Sequence, residues 1–330
     1  MKPAFSVLVF TVLSGVGLGA LALLGALDLL SASGALQSPI PPPLMPCALT
    51  IALVFVVSGL SSSTLHLANP RNAWRSATRW RTSWLSREAI ASLVLILVSS
   101  SYALSWWLTA TPALRLLLAL CTVLTAWATL YCTAMIYASL KPIRQWHTWR
   151  VPLNYLLLGH ASGALLVAGI VRGTGHSPGA VIAIACALLI GAAVAKIEYW
   201  RFIASECGVT TIERAIGVGH GVHGPAAPGS IGPSTSVMAA RLFDSGHARA
   251  TFLTREFLVT VSARRRRRVQ WVVWVGAFAL PIAWLMVGPP RMPWPLLAVG
   301  GCIIGLLAER WLFFADARHT VRLYHGDPRT

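Results

Sequence analysis

Eight apolar stretches, each about long enough to cross a bilayer, take up most of this 330-residue chain. They cover residues 5–30, 44–67, 89–108, 113–140, 152–171, 179–200, 269–287 and 295–314. At about 1.5 Å rise per residue, a helix needs roughly 20 mainly apolar residues to span the hydrocarbon layer. In lipid every backbone N–H and C=O must be satisfied within the protein, which leaves helices and closed barrels. The stretches lack the two-residue alternation of barrel strands. The expected fold is therefore all-α: a polytopic integral membrane bundle of eight transmembrane helices, forming a single membrane domain over residues 1–330.

The charges agree with that reading. Hydrophobic residues make up 56% of the chain and charged residues 11%, against roughly 25% charged in a soluble domain. A net charge of +17 would suit a nucleic-acid partner, but its placement argues for a membrane. The N-terminus, the loops after spans two, four and six, and the tail share one face of the membrane. That face carries Lys2, Arg71, Arg75, Arg79, Arg81, Arg87, Lys141, Arg144, Arg150 and the arginine run 264–268. The other face has little beyond Arg115, Arg172 and Arg291. By the positive-inside rule the basic face is cytoplasmic. The run 264–268, directly ahead of span seven, reads as a topology anchor and a contact for anionic lipid.

The first five loops are short, and the exception is the basic loop 205–268. Its middle, 217–237, is rich in Gly, Pro, Ser and His and reads as a flexible loop. Residues 238–257 suit a short surface element that contacts a partner. The six cysteines lie mostly within spans and form no CxxC motif, so they read as small buried hydrophobes. Gly15, Gly17 and Gly19 imitate a dinucleotide fingerprint, yet they sit inside an apolar helix. Gly159 with Gly163, and Gly301 with Gly305, have small-xxx-small spacing, so close helix packing is the reading for all of them. The first span is too long for the apolar region of a signal peptide and reads as a retained helix.

The segment most suggestive of chemistry joins spans two and three. Asn69-Pro70 stops the preceding helix. Arg71, Arg75 and Arg79 recur every four residues, and Trp80 and Trp84 are also four apart, the pattern of an interfacial helix. His66 and Glu88 bracket the segment at one membrane depth. A quinol gives up two electrons and two protons on oxidation. Its site needs an apolar slot open to lipid and a group that takes a proton near neutral pH, for which histidine is suited. A neighbouring carboxylate would pass the proton on to water. The alternative is structural: His66 caps a helix end and Glu88 pairs with Arg87 or Arg81.

Other ionisable residues have two readings each. His160 either pairs with His66 as axial ligands of a b-type haem or bonds a neighbouring helix beside Gly159 and Gly163. His220, His223 and His247 read as solvated loop residues and not as a metal site. Lys196, near the end of span six, snorkels to the interface by default. Glu198 and Glu309 are candidates for a proton path, and Glu309–Arg310 is not automatically a self-neutralising pair, because adjacent helical side chains diverge. Paired mid-membrane charges in corresponding halves, the mark of many transporters, are not evident.

Several pieces carry a family resemblance: Pro3-Ala-Phe-Ser-Val7, His66-Leu-x-x-Pro70-x-x-Ala-Trp74-Arg75, Trp80-Arg-Thr-Ser-Trp-Leu-Ser-Arg-Glu88, Met135-Ile-Tyr137 and Asn154-Tyr-Leu-Leu-Leu-Gly159. Through them the chain resembles the membrane-anchor subunits of dimethyl sulfoxide reductase over most of its length. Members often begin His-Pro-Ala-Phe-Ser, so Lys2 departs from the pattern, and the loop 205–268 is extended. The resemblance implies an anchor in the bacterial inner membrane, with no haem or metal of its own. It would hold a molybdopterin catalytic subunit and a ferredoxin-like four-cluster iron–sulfur subunit, and exchange electrons with menaquinone or ubiquinone. The quinone site falls on His66 and Glu88, with Arg71, Arg75, Trp80, Arg81, Trp84 and Arg87 as docking or supporting residues. Reductases of this type are generally exported, whereas related sulfite dehydrogenase anchors serve cytoplasmic enzymes and reduce quinone. The cytoplasmic basic face fits the second at least as well. A purely structural anchor, whose partner supplies the whole quinone pocket, is the remaining alternative.

Overall fold

The computed structural model describes residues 4–36, 40–65, 70–176, 179–206, 261–320 and 323, without the side chains of 70–73. Among these every regular element is helical, and eight helices are long and apolar enough to cross a membrane. They are α1 (Phe5–Ala32), α2 (Met45–Thr64), α3 (Trp84–Trp107), α4 (Pro112–Ala138), α5 (Arg150–Gly173), α6 (Gly179–Glu206), α7 (Ala263–Val287) and α8 (Trp294–Ala315). Each expected span has its helix, but several ends move. The first two turns of α3 and α7 take in Glu88 and the arginine run 264–268, and α6 continues past Trp200 to Glu206. Apolarity marks where lipid begins, whereas helical hydrogen bonding runs on into the headgroup layer. Most of the loop 205–268, including 217–237, 238–257 and its three histidines, lies outside the described residues.

Two helices form the interior. In their most apolar windows, 72% of α1 and 78% of α5 is buried, against 33% in α3, α4, α6 and α7. Helix α1 packs against α2, α4 and α5; α3 rests mainly on α4, α6 on α5, and α7 pairs with α8. Lipid tails are as apolar as leucine, so helices gain little by hiding apolar surface and associate through close packing and polar contacts. Small residues supply that closeness. A Cβ added at Gly17 would meet α2 at Ala52 and Val56, one at Gly25 would meet α4 at Ala119 and Val123, and one at Gly19 would strike the Gly159 backbone of α5. Gly163 returns the contact, its added Cβ colliding with Gly19 and Ala20. The glycines read as packing residues are packing residues, and each faces a particular neighbour.

The α7–α8 pair follows the same rule. A Cβ at Gly276 would come within 2.8 Å of the Gly301 carbonyl oxygen and 3.0 Å of Gly305 Cα. A π-helical turn over Trp274–Ala279 interrupts α7 there. Pro281 has no N–H to offer the Ala277 carbonyl four residues back, and the Cys302 thiol of α8 lies 3.9 Å from that oxygen. At the far end Arg172 donates to the carbonyls of Trp284, Leu285 and Gly288 at 2.7–3.0 Å, satisfying the end of α7.

Substituting Gly163 by alanine should lower the thermal stability of the purified protein in detergent, with an overpacking cost of about 1–3 kcal/mol. Gly191→Ala, where an added Cβ meets nothing within 4 Å, should be neutral or stabilising by up to about 1 kcal/mol. Equal melting temperatures for the two variants would refute the close-packing account.

Candidate functional site

The end of the bundle that holds the start of α1 and the end of α8 is where polar chemistry collects. Buried aromatic residues from four helices and a loop meet there: Tyr137 of α4, Trp146 of the α4–α5 loop, Tyr155 of α5, Tyr199 of α6, and Phe313 and Phe314 of α8. Tyr137 stacks on Tyr155 at 5.8 Å and meets Trp146 and Phe313 edge-on at 5.3 Å. Trp146 Nε1 donates to the Phe313 carbonyl (3.1 Å) and the Tyr199 hydroxyl to the Gln145 carbonyl (3.1 Å). The loop is thereby pinned into the bundle with its polar groups satisfied.

Glu88 lies beside this cluster. It is 5% exposed, in the second turn of α3. Its Oε1 is hydrogen-bonded to Thr133 Oγ1 of α4, and Thr133 Oγ1 is also 3.0 Å from the Thr129 carbonyl. The threonine hydroxyl has one proton and two acceptors. As a carboxylate, Glu88 takes that proton. As an acid, it donates to Thr133, which then donates to Thr129. Both protonation states thus have a hydrogen-bonded arrangement, the property required of a group that holds and releases a proton. The structural alternative for Glu88 does not occur. Arg87 turns away, donating to the carbonyls of Trp80 (2.9 Å) and Arg81 (2.8 Å) and lying over the Trp84 ring at 4.3 Å.

The remaining predicted residues separate into an inner and an outer set. Trp84 packs edge-on against Tyr131 of α4 at 5.8 Å. Arg75 and Arg81 lie over Trp74 and Trp80, and Trp80 is 54% exposed, so these form an outward surface away from Glu88. Arg71 belongs to the same short helix, and His66 lies outside the described residues. The interfacial α-helix expected here is a 3-10 helix over Pro70–Arg79. With about three residues per turn, Arg71, Arg75 and Arg79 share no stripe, and Trp80 precedes the helix that contains Trp84.

His160 bonds a neighbouring helix. Its Nδ1 faces the Leu156 carbonyl (2.7 Å), which can only accept, so Nδ1 carries the proton. Nε2 accepts from Trp127 Nε1 of α4 at 2.9 Å. Both ring nitrogens are committed, and the lone pair that an axial ligand would need is in use.

Lys196 does not snorkel. It is 1% exposed and paired with Glu309, whose other oxygen takes Arg310 Nε at 2.7 Å. The reason is the face it occupies: the side chain points into the bundle, where Glu309 of α8 supplies its counter-charge. Glu309 and Arg310 do pair, the long arginine folding back over Tyr155 at 3.9 Å. Glu198 pairs with Arg150 at 2.8 Å on the outside. Just beyond α8, burial pushes the Asp316 carboxyl above the usual range, although Arg266 at 3.0 Å pulls it down.

A second buried cluster, at the opposite end, was not anticipated. The Tyr102 hydroxyl donates to Asp28 Oδ2 at 2.7 Å, and Arg115 approaches the same oxygen at 3.5 Å while lying over Trp106 at 4.3 Å. An acid in the last two turns of an apolar stretch was the available signal.

This arrangement defines a polytopic membrane subunit with polar chemistry gathered at its basic end. Residues 1–218 match the family described as DMSO reductase anchor subunit (DmsC). A sulfite dehydrogenase subunit from Allochromatium vinosum is 32% identical over 346 aligned positions, which cover 98% of this chain and 99% of that protein. No solved structure matches. The chain belongs to the DMSO reductase anchor subunit family: it is a molybdoenzyme membrane anchor, which implies catalytic and electron-transfer partner subunits. The family match stops short of α7 and α8, while the similarity to the Allochromatium protein extends through Glu309 and Arg310.

The buried triad makes an asymmetric prediction. Glu309→Gln leaves two uncompensated cations and should cost about 3–5 kcal/mol, the range for breaking a buried ion pair. Lys196→Met leaves the neutral Glu309–Arg310 pair and should cost far less. Thermal unfolding in detergent with the order reversed would show that the triad is not organised around Glu309.

Proposed function

We propose that this chain is the quinone-reactive anchor of a heterotrimeric molybdopterin oxidoreductase in the bacterial inner membrane. It carries electrons between menaquinone or ubiquinone and a ferredoxin-like iron–sulfur subunit that docks on the basic end. Glu88 carries the reading. A carboxyl at membrane depth, hydrogen-bonded in either protonation state, sits at the end where the positive-inside rule puts the cytoplasm. His66, on the chain just ahead of the 3-10 helix, is its partner in proton transfer. Trp84 and Arg87 support the site, and Arg71, Arg75, Trp80 and Arg81 belong to the docking surface.

For direction we favour quinone reduction over quinol oxidation in anaerobic respiration. Two observations support this: the basic face indicates cytoplasmic partners, and the similar Allochromatium protein is named as part of a sulfite dehydrogenase. The partner oxidises its substrate and delivers two electrons; the quinone takes these and two protons, to which Glu88 contributes.

In the assembled complex, Glu88→Gln and His66→Ala should each lower quinone-linked turnover about a hundredfold, within the usual range for an acid–base group. Electron transfer from substrate to a soluble acceptor should be unaffected, and subunit assembly should remain intact by blot. Unchanged quinone-linked turnover in both variants would sink the assignment and leave a structural anchor.

A further inference from the structure

The end of α4, the α4–α5 loop, the start of α5 and the end of α6 enclose a cleft of about 860 Å³ that the quinone reading does not use. Its lining has two levels. Tyr131, Met135 and Phe202 lie one or more turns inside their helices and form an apolar floor. Lys141, Arg144, His147 and Thr148 of the loop, with Glu206 at the end of α6, form a polar rim at headgroup depth. Glu88 is not among the lining residues, because it faces inward from α3 while the floor belongs to another face of α4.

The rim chemistry is specific. Arg144 Nε holds Glu206 Oε2 at 2.7 Å, which neutralises the one carboxylate and fixes the guanidinium. Lys141 is exposed and makes no ion pair among the described residues, so the rim keeps one positive charge in excess. His147 Nδ1 lies 2.7 Å from the Ala138 carbonyl and carries the proton there, leaving Nε2 as a hydrogen-bond acceptor. Thr148 adds a hydroxyl, and the exposed Trp149 is an aromatic of the kind that anchors at the interface.

We propose that this cleft binds an anionic phospholipid with a hydroxyl-bearing headgroup, of the phosphatidylglycerol class. The acyl chains lie on the apolar floor, the phosphate between Lys141 and Arg144, and a headgroup hydroxyl donates to His147 Nε2. The floor distinguishes this ligand from free phosphate. The excess cation disfavours the ammonium group of phosphatidylethanolamine, and a neutral quinone would have no use for it. Because the bound lipid touches α4, α5 and α6 together, it stabilises the end of the bundle that faces the partner subunits.

The test uses the assembled complex in detergent, with native mass spectrometry and thermal unfolding in the presence of phosphatidylglycerol, phosphatidylethanolamine or phosphatidylcholine. Phosphatidylglycerol should be retained through purification and raise the melting temperature above that with the zwitterionic lipids. Lys141→Gln and Arg144→Gln should each weaken phosphatidylglycerol binding about fivefold, and the double variant should lose the selective shift. Arg291→Gln, the loss of one charge in the exposed loop ahead of α8 at the opposite end, should keep it. If Arg144→Gln disturbs folding through Glu206, Lys141→Gln alone still decides, since that side chain is exposed. Equal retention of all three lipids, phosphatidylglycerol binding undiminished by Lys141→Gln in a folded protein, or a quinone recovered in place of the lipid and lost in the same variants would each overturn the proposal. The proposal does not rest on the quinone reading, and neither outcome there bears on it.

Discussion

The backbone approach of α1 to α5 at Gly19, Gly159 and Gly163 is the constraint on which the rest of the bundle depends. In lipid, association draws on van der Waals contact and polar bonds, and both require the helices to be close. Where Cβ atoms at Gly19 and Gly163 would strike the facing backbone, the two helices make the most contact available to them. With that pair as an axis, the other glycines of α1 admit α2 and α4, and α3, α6, α7 and α8 assemble around the outside. The outer helices bury about a third to under a half of their apolar windows and leave the remainder for lipid.

The same close packing makes buried charge tolerable. Lys196, Glu309 and Arg310 meet where side chains of α6 and α8 reach each other inside the basic end, buried from water. Asp28, Tyr102 and Arg115 make a smaller counterpart at the opposite end. A charge sealed in hydrocarbon-like surroundings stays ionised only with a partner at hand, so these clusters lock particular helices together. Glu88 differs from both. Its partner is a neutral hydroxyl that serves it in either protonation state, which makes it a carboxyl suited to proton transfer and not to clamping helices.

The surface divides in a corresponding way. The segment from the 3-10 helix to the start of α3, with Arg75 and Arg81 lying over tryptophans, presents charge outward, whereas Glu88 lies inward on α3. One stretch of about twenty residues, from Pro70 onward, therefore supplies both an outward charged surface and the entry to the membrane interior. The switch between them occurs at Ser83, whose side chain accepts from the Ser86 N–H and starts α3.

What could be read from residue order was whatever depends on local composition: eight spans, the bias of positive charge to one face, the glycines as packing residues, and the interhelical bond of His160. Hydrophobicity and charge act residue by residue against the bilayer, so they need no knowledge of neighbours. The reading erred where neighbours decide. Lys196 looked close to water because the apolar run ends at Trp200, yet its side chain faces inward and α8 presents Glu309. The arginines spaced by four suggested an α-helix, yet the chain winds more tightly there. Nothing in residue order paired Asp28 with Tyr102, or joined Tyr137, Tyr155 and Phe313 into one aromatic cluster, because those contacts link helices far apart in sequence. The sequence by itself determined that this chain is built of eight membrane-spanning helices, because apolar run length is a local property. Which side chains meet, and so what Glu88, Lys196 and the cleft can do, was decided by tertiary packing, since the partner of a buried polar group is set by the helix that arrives beside it.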